Sequence, residues 1–341
     1  MRKLLNTLYV TTQGAYLRKE GQTVVVEIDK KATLRVPLLN LQGILCFGNV
    51  LCSPFLMGAC AKTDVSLAFL TEHGRFLADV RGEVTGNVLL RREQGRQADD
   101  EQASLRWAKV FVAAKLQNAR ITLRRAVRDR HGDAERIERM CQRIRRHLHV
   151  LKNVPTMNEV RGIEGDTAKH YFAVFDEMIV QQKDAFFLQG RNRRPPRDNM
   201  NALLSFLYTL VFYDLASALS AHGLDPFVGF LHRDRPGRRS LALDFLEEFR
   251  TSLADRLALT LVNRRQIQAH DFIRSEAGGV TLDEDGRKLV LKAYQEKKQE
   301  ERLHPFFDER MKLGLLFHAQ AMLAARTLRG DLDTYPAFYW K

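Results

Sequence analysis

The stretch 229–250, GFLHRDRPGRRSLALDFLEEFR, contains residue types that can bind a cation. His232 precedes an arginine-rich Pro-Gly turn and a segment of helical period. In that segment Asp244 and Glu247 are three positions apart, and at this spacing two helix carboxylates can approach one point. One imidazole with carboxylate oxygens suits Mg²⁺ or Mn²⁺. The ordinary alternative is a solvated acidic face that binds no ion.

Arginines follow the histidine at short intervals. Arg235, Arg238 and Arg239 lie in the turn, and guanidinium groups pair well with phosphate oxygens. A divalent cation beside arginines is an arrangement suited to phosphoryl transfer. A zinc hydrolase is disfavoured, because the set lacks a second histidine or a cysteine.

A third carboxylate occurs earlier, in GIEGDTAKHYFAVFDEMI at 162–179. Apolar residues recur there at helical spacing, which predicts an amphipathic helix. Glu164 is four residues before Ala168 and so continues the apolar stripe. An inward carboxylate is costly unless it is paired or bound to metal. The pattern alone leaves open a hydrated position at the helix start, where an acid complements the helix dipole.

The charge balance favours a polyanionic partner. The chain of 341 residues has a formal net charge of +13, with 54 Lys and Arg against 41 Asp and Glu. Residues 106–152 alone hold 14 basic against four acidic residues. This concentration predicts a surface that contacts nucleic acid phosphates, although a basic helical hairpin facing solvent has the same composition.

Cysteine usage and hydropathy indicate a cytoplasmic protein without a membrane span. The four cysteines form no CxxC pair, which argues against a zinc knuckle and fits a reducing compartment. The most apolar segment, 202–212, is shorter than the roughly 18 residues that a span needs, so a buried helix is expected. The apolar run at the N-terminus is too short for a signal peptide.

The order of elements predicts an α+β protein. Residues 1–92 read as a β-strand-rich N-terminal domain, with a hairpin turn at 72–74 and a helix that begins at Ser53-Pro54. The polar residues 93–102 read as a linker. Residues 103–341 have helical period and are expected to form a larger α-helical catalytic domain.

Four blocks in one order carry a family resemblance: RGIEG (161–165), PPRDNMNALLS (195–205), GLDPFVGFLH (223–232) and SLALDFLEEFR (240–250). The chain resembles the CRISPR-associated adaptation integrases, which are metal-dependent nucleases that insert new spacers. The resemblance runs through most of the helical part. The C-terminal segment 313–340 is most similar to the subtype I-C branch.

The resemblance implies that Glu164, His232 and Glu247 bind one Mg²⁺ or Mn²⁺ ion. It implies that Asp244 supports the site or binds the metal directly, and leaves open which of Asp244 and Glu247 is the closer ligand. The implied activity is spacer insertion by 3′-OH transesterification and cleavage of branched DNA.

The resemblance also implies partners: double-stranded and branched DNA, a second copy of the chain, and a small ferredoxin-like subunit that completes a heterohexamer. Tyr16 would stack on DNA at the fork, and Arg235, Arg238 and Arg239 would contact phosphates. The competing hypothesis is a non-enzymatic architectural DNA-binding protein.

Overall fold

The computed structural model describes residues 6–63, 65–72, 74, 76–80, 82, 88–129, 132–192 and 194–340. They form two compact units. The first unit takes in the described residues up to 82, together with 287–301 and 312–315; the remaining described residues form the second.

The first unit contains two four-stranded sheets. Its N-terminal elements are β1 (Asn6–Val10), β2 (Tyr16–Glu20), β3 (Thr23–Ile28), β4 (Lys31–Pro37), β5 (Leu41–Phe47), β6 (Leu51–Cys52), α1 (Pro54–Lys62), β7 (Ser66–Leu70) and β8 (Phe76–Val80). The strand orders are β4-β3-β2-β6 and β1-β5-β7-β8. The predicted strand-rich domain is therefore confirmed. Aliphatic side chains such as Val24, Leu17 and Ile44 are fully buried between these elements.

Local signals of the first unit are also confirmed. β7 and β8 pair in antiparallel fashion across the predicted turn, of which His73 lies outside the described residues. The hydroxyl of Ser53 accepts a hydrogen bond from Leu56 N at 3.3 Å, and Pro54 occupies the first position of α1. Tyr16 opens β2, opposite Glu27 of β3, and is 36% exposed.

The chain after residue 87 is mostly helical, as predicted. Its elements are α2 (Val88–Asp99), α3 (Glu101–Arg128), α4 (Ala134–Leu151), α5 (Met157–Phe175), α6 (Asn199–Ala221), α7 (Ser240–Phe249), α8 (Arg256–Asn263), β9 (Phe272–Arg274), β10 (Val280–Leu282), α9 (Glu284–Gln299), β11 (Glu301–His304), β12 (Glu309–Lys312) and α10 (Leu313–Leu328). A π-helical turn, Arg250–Asp255, joins α7 to α8.

Residues 93–102, expected to be a linker, lie in α2 and α3 apart from Asp100. Asp100 caps α3 by accepting a hydrogen bond from Ala103 N at 2.6 Å. The polar composition therefore belongs to the outer faces of two helices. Beyond residue 103 the chain also re-enters the first unit, where Gln295 of α9 donates to the carbonyl of Thr7 at 3.1 Å.

Helix α6 is the apolar centre of the second unit. It is the one described helix that is long and apolar enough to cross a membrane, but 78% of its most apolar window is buried by protein. That burial is typical of a core helix. Asp198 caps it, accepting from Asn201 N at 2.7 Å.

Candidate active site

Every residue of helix α7 except Leu243 is buried. Asp244 and Glu248 have no exposed surface and Glu247 is 2% exposed, while Phe245 and Phe249 are also fully buried. The solvated acidic face that the sequence left open is therefore absent from α7. Buried carboxylates need partners, and each of the three has a different set.

Asp244 holds the loop that precedes α7. Its Oδ2 accepts hydrogen bonds from the backbone N–H groups of Phe230 and Leu231 at 2.7 and 3.1 Å. Its Oδ1 accepts from His232 N at 3.0 Å and contacts His232 Nδ1 at 2.6 Å. The loop approaches α7 so closely that a Cβ on Gly229 would lie 2.6 Å from Ser240 Cβ. Asp244 is therefore a supporting residue whose two oxygens are already engaged.

The same contacts orient His232. Because a carboxylate only accepts hydrogen bonds, Nδ1 carries a hydrogen, and in the neutral imidazole the lone pair is then on Nε2. This is the arrangement of a metal-binding histidine whose second nitrogen is fixed by a carboxylate. The side chain is 22% exposed and lines a cavity of about 470 Å³ together with Arg161 and Arg233.

Three other helices fasten this loop. Gln94 of α2 donates to the carbonyls of Asp225 and Val228, both at 2.8 Å. Ser104 of α3 donates to Phe230 O at 3.1 Å. The guanidinium of Arg161 in α5 donates twice to Leu231 O, at 3.0 and 2.7 Å. A loop so fixed presents His232 in one orientation.

Glu164 lies inside α5, so the alternative of a hydrated helix start is wrong. Thr156 caps α5 by accepting from Glu159 N at 3.3 Å, and the helix begins at Met157. Glu164 comes two turns later and is too far along to benefit from the N-terminal dipole. Its carboxylate instead contacts the ammonium of Lys115.

Lys115 of α3 bridges the two glutamates. Its side chain is 6% exposed, and its Nζ contacts Glu164 Oε1 and lies 2.8 Å from Glu247 Oε2. Arg250 contacts the other oxygen of Glu247 at 3.0 Å. Burial raises the pKa of Glu247, but Arg250, Lys115 and His232 lower it more, and the net shift is downward. Glu247 is therefore a buried, charged carboxylate.

As the site stands, no three His, Cys, Asp or Glu side chains among the described residues are gathered closely enough to share a metal ion. Lys115 lies between Glu164 and Glu247. The residues nonetheless fit a hard divalent cation. Oε2 of Glu247 is buried without a well-formed hydrogen bond, and two carboxylates with one oriented imidazole suit Mg²⁺ or Mn²⁺.

The three predicted arginines differ in exposure. Arg235 is exposed and Arg238 is half-buried. Burial and the neighbouring Arg235 lower the pKa of Arg238. Arg239 is only 9% exposed, and its guanidinium lies over the rings of Tyr213 and Phe227 at 5.6 and 5.7 Å. The expectation that Arg239 contacts DNA phosphate does not suit this position, because the aromatic rings bury its charge.

Sequence reasoning missed two residues of the site. Lys115 was counted with the basic surface, although its place on α3, four residues after the buried Phe111 and four before Ala119, puts it on the apolar face. Glu248 was overlooked because it adjoins Glu247. A charged residue in an apolar stripe was the available signal for Lys115, as it was for Glu164.

Glu248 faces the C-terminal segment. It accepts hydrogen bonds from Tyr335 Oη at 2.7 Å, from Phe338 N at 2.8 Å and from Gln320 Nε2 at 3.0 Å. Burial raises its pKa to about 7, although these hydrogen bonds oppose the shift. Asn118 completes the contact by donating to the carbonyls of Glu248 and Phe338 at 2.8 and 3.0 Å.

Fold and site together define a protein with an N-terminal sheet unit and a helical unit, in which Lys115 bridges two glutamates and a buried aspartate holds a histidine. The profile of the family described as "CRISPR associated protein Cas1" matches residues 8–296. A "CRISPR-associated endonuclease Cas1 1" of Chlorobaculum tepidum is 53% identical over 343 residues, which cover 100% of each chain. A "CRISPR-associated endonuclease Cas1 2" of Rhodospirillum rubrum is 48% identical over 347 residues, again with 100% of each chain.

Solved structures share the fold. A CAS1 protein from Thermotoga maritima has a TM-score of 0.81 and 24% identity, with 95% of this chain and 97% of that chain covered. A casposase bound to its integration product has a TM-score of 0.82 and 21% identity, with 98% and 94% covered. The chain belongs to the CRISPR-associated Cas1 family, which confirms the family predicted from the four sequence blocks.

Proposed function

We propose that this protein is a metal-dependent DNA endonuclease and integrase that inserts new spacers into a CRISPR array and cleaves branched DNA. The supporting observation is the convergence of Glu164 and Glu247, from distant parts of the chain, on one buried position. The close relatives named as endonucleases, and the casposase bound to an integration product, support the same chemistry.

In the proposed reaction a DNA 3′-hydroxyl forms a new ester bond to a target phosphorus, and the existing bond to the leaving 3′-oxygen breaks. The proton lost by the attacking hydroxyl balances the charge of the leaving oxygen. Glu164, Glu247 and Nε2 of His232 would hold Mg²⁺ or Mn²⁺. When bound there, such an ion stabilises negative charge on the attacking and leaving oxygens.

The chain's own residues position these groups. Asp244 keeps Nε2 of His232 as the nitrogen with the lone pair and fixes the ring through its contact with Nδ1. Arg250 and Lys115 keep Glu247 charged inside the protein. The exposed Arg235 and half-buried Arg238 would contact phosphates beside the reacting strand.

Other surfaces would bind the rest of the DNA. Helix α4 buries one apolar stripe that includes Ile137 and Ile144, and exposes Arg139, Arg145 and Arg146. Exposed arginines on one helix suit contacts to a phosphate backbone. The ring of Tyr16 is exposed and available to stack on a base. We propose a homodimer and a small ferredoxin-like adaptation subunit as partners; the Cas1–Cas2 complex among the fold relatives supports the latter.

The test uses prespacer-like and branched DNA with and without Mn²⁺. The intact protein should give joined and cut products only with the metal. Glu164→Ala and His232→Ala should abolish both products and leave DNA affinity within about twofold, because the proposed phosphate contacts come from other side chains. His270→Ala is the matched control, since its side chain is 76% exposed.

Three outcomes would overturn the proposal. Product formation by wild-type protein in excess chelator would remove the metal requirement. Equal loss of DNA binding and of product formation in both variants would mean that Glu164 and His232 have a structural role. A steep salt dependence of binding with no products under any condition would instead indicate an architectural DNA-binding protein.

A further inference from the structure

Lys115 occupies the position where the two distant glutamates meet. Its aliphatic stem lies in the core side of α3, and its side chain is only 6% exposed. The ammonium contacts Glu164 and Glu247 together. Arg250 contacts the far oxygen of Glu247 at 3.0 Å, so it does not replace Lys115 between the two carboxylates.

A buried lysine between two acids has a clear electrostatic effect. Two carboxylates brought together inside a protein repel each other, and an intervening positive charge reverses that repulsion. A divalent cation placed between the same carboxylates would stand within a few ångströms of the ammonium and be repelled by it. The lysine and the metal therefore compete for one position.

Thr251, which lines the same small cavity as Lys115, has a buried hydroxyl without a hydrogen-bond partner. Thr167 and Arg250 also line this cavity. Movement of the flexible lysine stem toward Thr251 would satisfy its hydroxyl oxygen and vacate the space between the acids.

We propose that Lys115 is a resident cation: a positioning residue that holds Glu164 and Glu247 together when no metal is bound and that a divalent ion must displace. This inference rests on the proposed function, because it requires that those residues bind a metal. It assigns Lys115 two effects, a more stable metal-free site and a weaker metal affinity.

The test is titration of the full chain with Mn²⁺ alone, by calorimetry, with thermal unfolding in parallel. Lys115→Met should bind Mn²⁺ at least about tenfold more tightly than wild type, because the competing charge is gone. Its metal-free melting temperature should fall, and saturating Mn²⁺ should raise it more than in wild type. Lys109→Met is the control, because Lys109 lies on the same helix and donates to the carbonyl of Lys152 at 3.1 Å.

Each outcome decides one hypothesis. If neither wild type nor Lys115→Met binds Mn²⁺, the metal-dependent function fails. If wild type binds Mn²⁺ and Lys115→Met binds it equally or more weakly, the proposal that Lys115 is a resident cation fails. If Lys115→Met is unfolded without metal, Lys115→Gln is used. Recovery of a wild-type melting temperature in saturating Mn²⁺ then supports the proposal, and no recovery contradicts it.

Discussion

Glu247 and Glu248 are neighbours on one helix, and both are buried, yet their surroundings shift their pKa values in opposite directions. Glu247 faces the cations Lys115 and Arg250, and the net shift of its pKa is downward. Glu248 faces a phenol, an amide and a backbone N–H, and burial raises its pKa to about 7.

The contrast shows that burial does not decide what an acid does. Charged partners keep Glu247 available as an anion, the state a cation ligand needs. Neutral donors hold Glu248 in place without requiring its charge. The proposed catalytic face and the structural face of α7 therefore carry adjacent residues, Glu247 and Glu248. Substituting one of them tests one face alone.

The largest expected effect is on the catalytic face. Glu247→Gln should lower strand transfer at least about a thousandfold, since the change removes a group required at the reacting phosphate. DNA affinity should stay within about twofold. Integration assays and filter binding on the same preparations measure both, and a variant with near wild-type strand transfer would remove Glu247 from the site.

Glu248, on the structural face, should change the stability of the protein with pH in the direction opposite to Glu247. The pKa of Glu248 is raised from 4.5 to about 7, so in that window the folded protein holds a proton that the unfolded chain has released. The free energy of unfolding therefore falls as pH rises through the window, by on the order of 3 kcal/mol from this group. Glu247 has a lowered pKa, so its contribution to stability is present above pH 4.5 and is lost as pH falls through the folded-state pKa.

Glu248→Gln should remove that slope while leaving strand transfer largely intact at low temperature. Wild type should lose stability relative to the variant as pH rises from about 5 to about 8, by on the order of 3 kcal/mol, because only wild type has a carboxyl group that ionises there. Urea unfolding at several pH values measures it. A difference that does not change with pH would mean that Glu248 titrates at its ordinary pKa in the folded protein.

A smaller effect is expected where the C-terminal segment is fastened. Asn118→Ala removes hydrogen bonds to the carbonyls of Glu248 and Phe338 and an acceptor for Trp340 N. The cost should be about 1–3 kcal/mol of unfolding free energy, as for buried groups left without partners. Thermal unfolding measures it, with the exposed His270→Ala as a control. An unchanged melting temperature would mean that this attachment contributes nothing to stability.

The smallest effect concerns the arginines. Like the two glutamates, Arg238 and Arg239 are neighbours with different expected roles, one in DNA binding and one in stability. Arg238→Ala should reduce the magnitude of the salt slope of DNA binding by about 0.9, as one lost phosphate contact would. Arg239→Ala should leave the slope unchanged and lower the melting temperature, because Arg239 is packed between aromatic rings. The reverse result would place Arg239, rather than Arg238, on the DNA.

Residue patterns were sufficient for the fold class, because strand and helix periods are local properties. The capped start of α1 and the β7–β8 hairpin follow from a few adjacent residues. Residues 93–102 were misleading, since their polar composition is shared by linkers and by exposed helix faces. The return of α9 to the first unit depends on long-range contacts that no local pattern contains.

The site was likewise predictable only in part. Glu164 was detectable because a charge interrupts an apolar stripe, and the structure places it against Glu247 through Lys115. For Asp244 the resemblance left open a supporting role or direct metal binding, and only the folded loop shows three backbone N–H groups directed at it. The π-helical turn after α7 also escapes a strict 3.6-residue period, and it lies where Asp255 meets Tyr171 and Tyr208.

The attachment of residues 335–340 to α7 has a consequence for synthesis. The ribosome makes the helix that carries Glu247 well before it makes Tyr335 and Phe338, the groups that satisfy Glu248. Until they emerge, the rear of that helix has a buried acid without its donors. The stability that these hydrogen bonds give α7 is therefore gained only after residues 335–338 have been made.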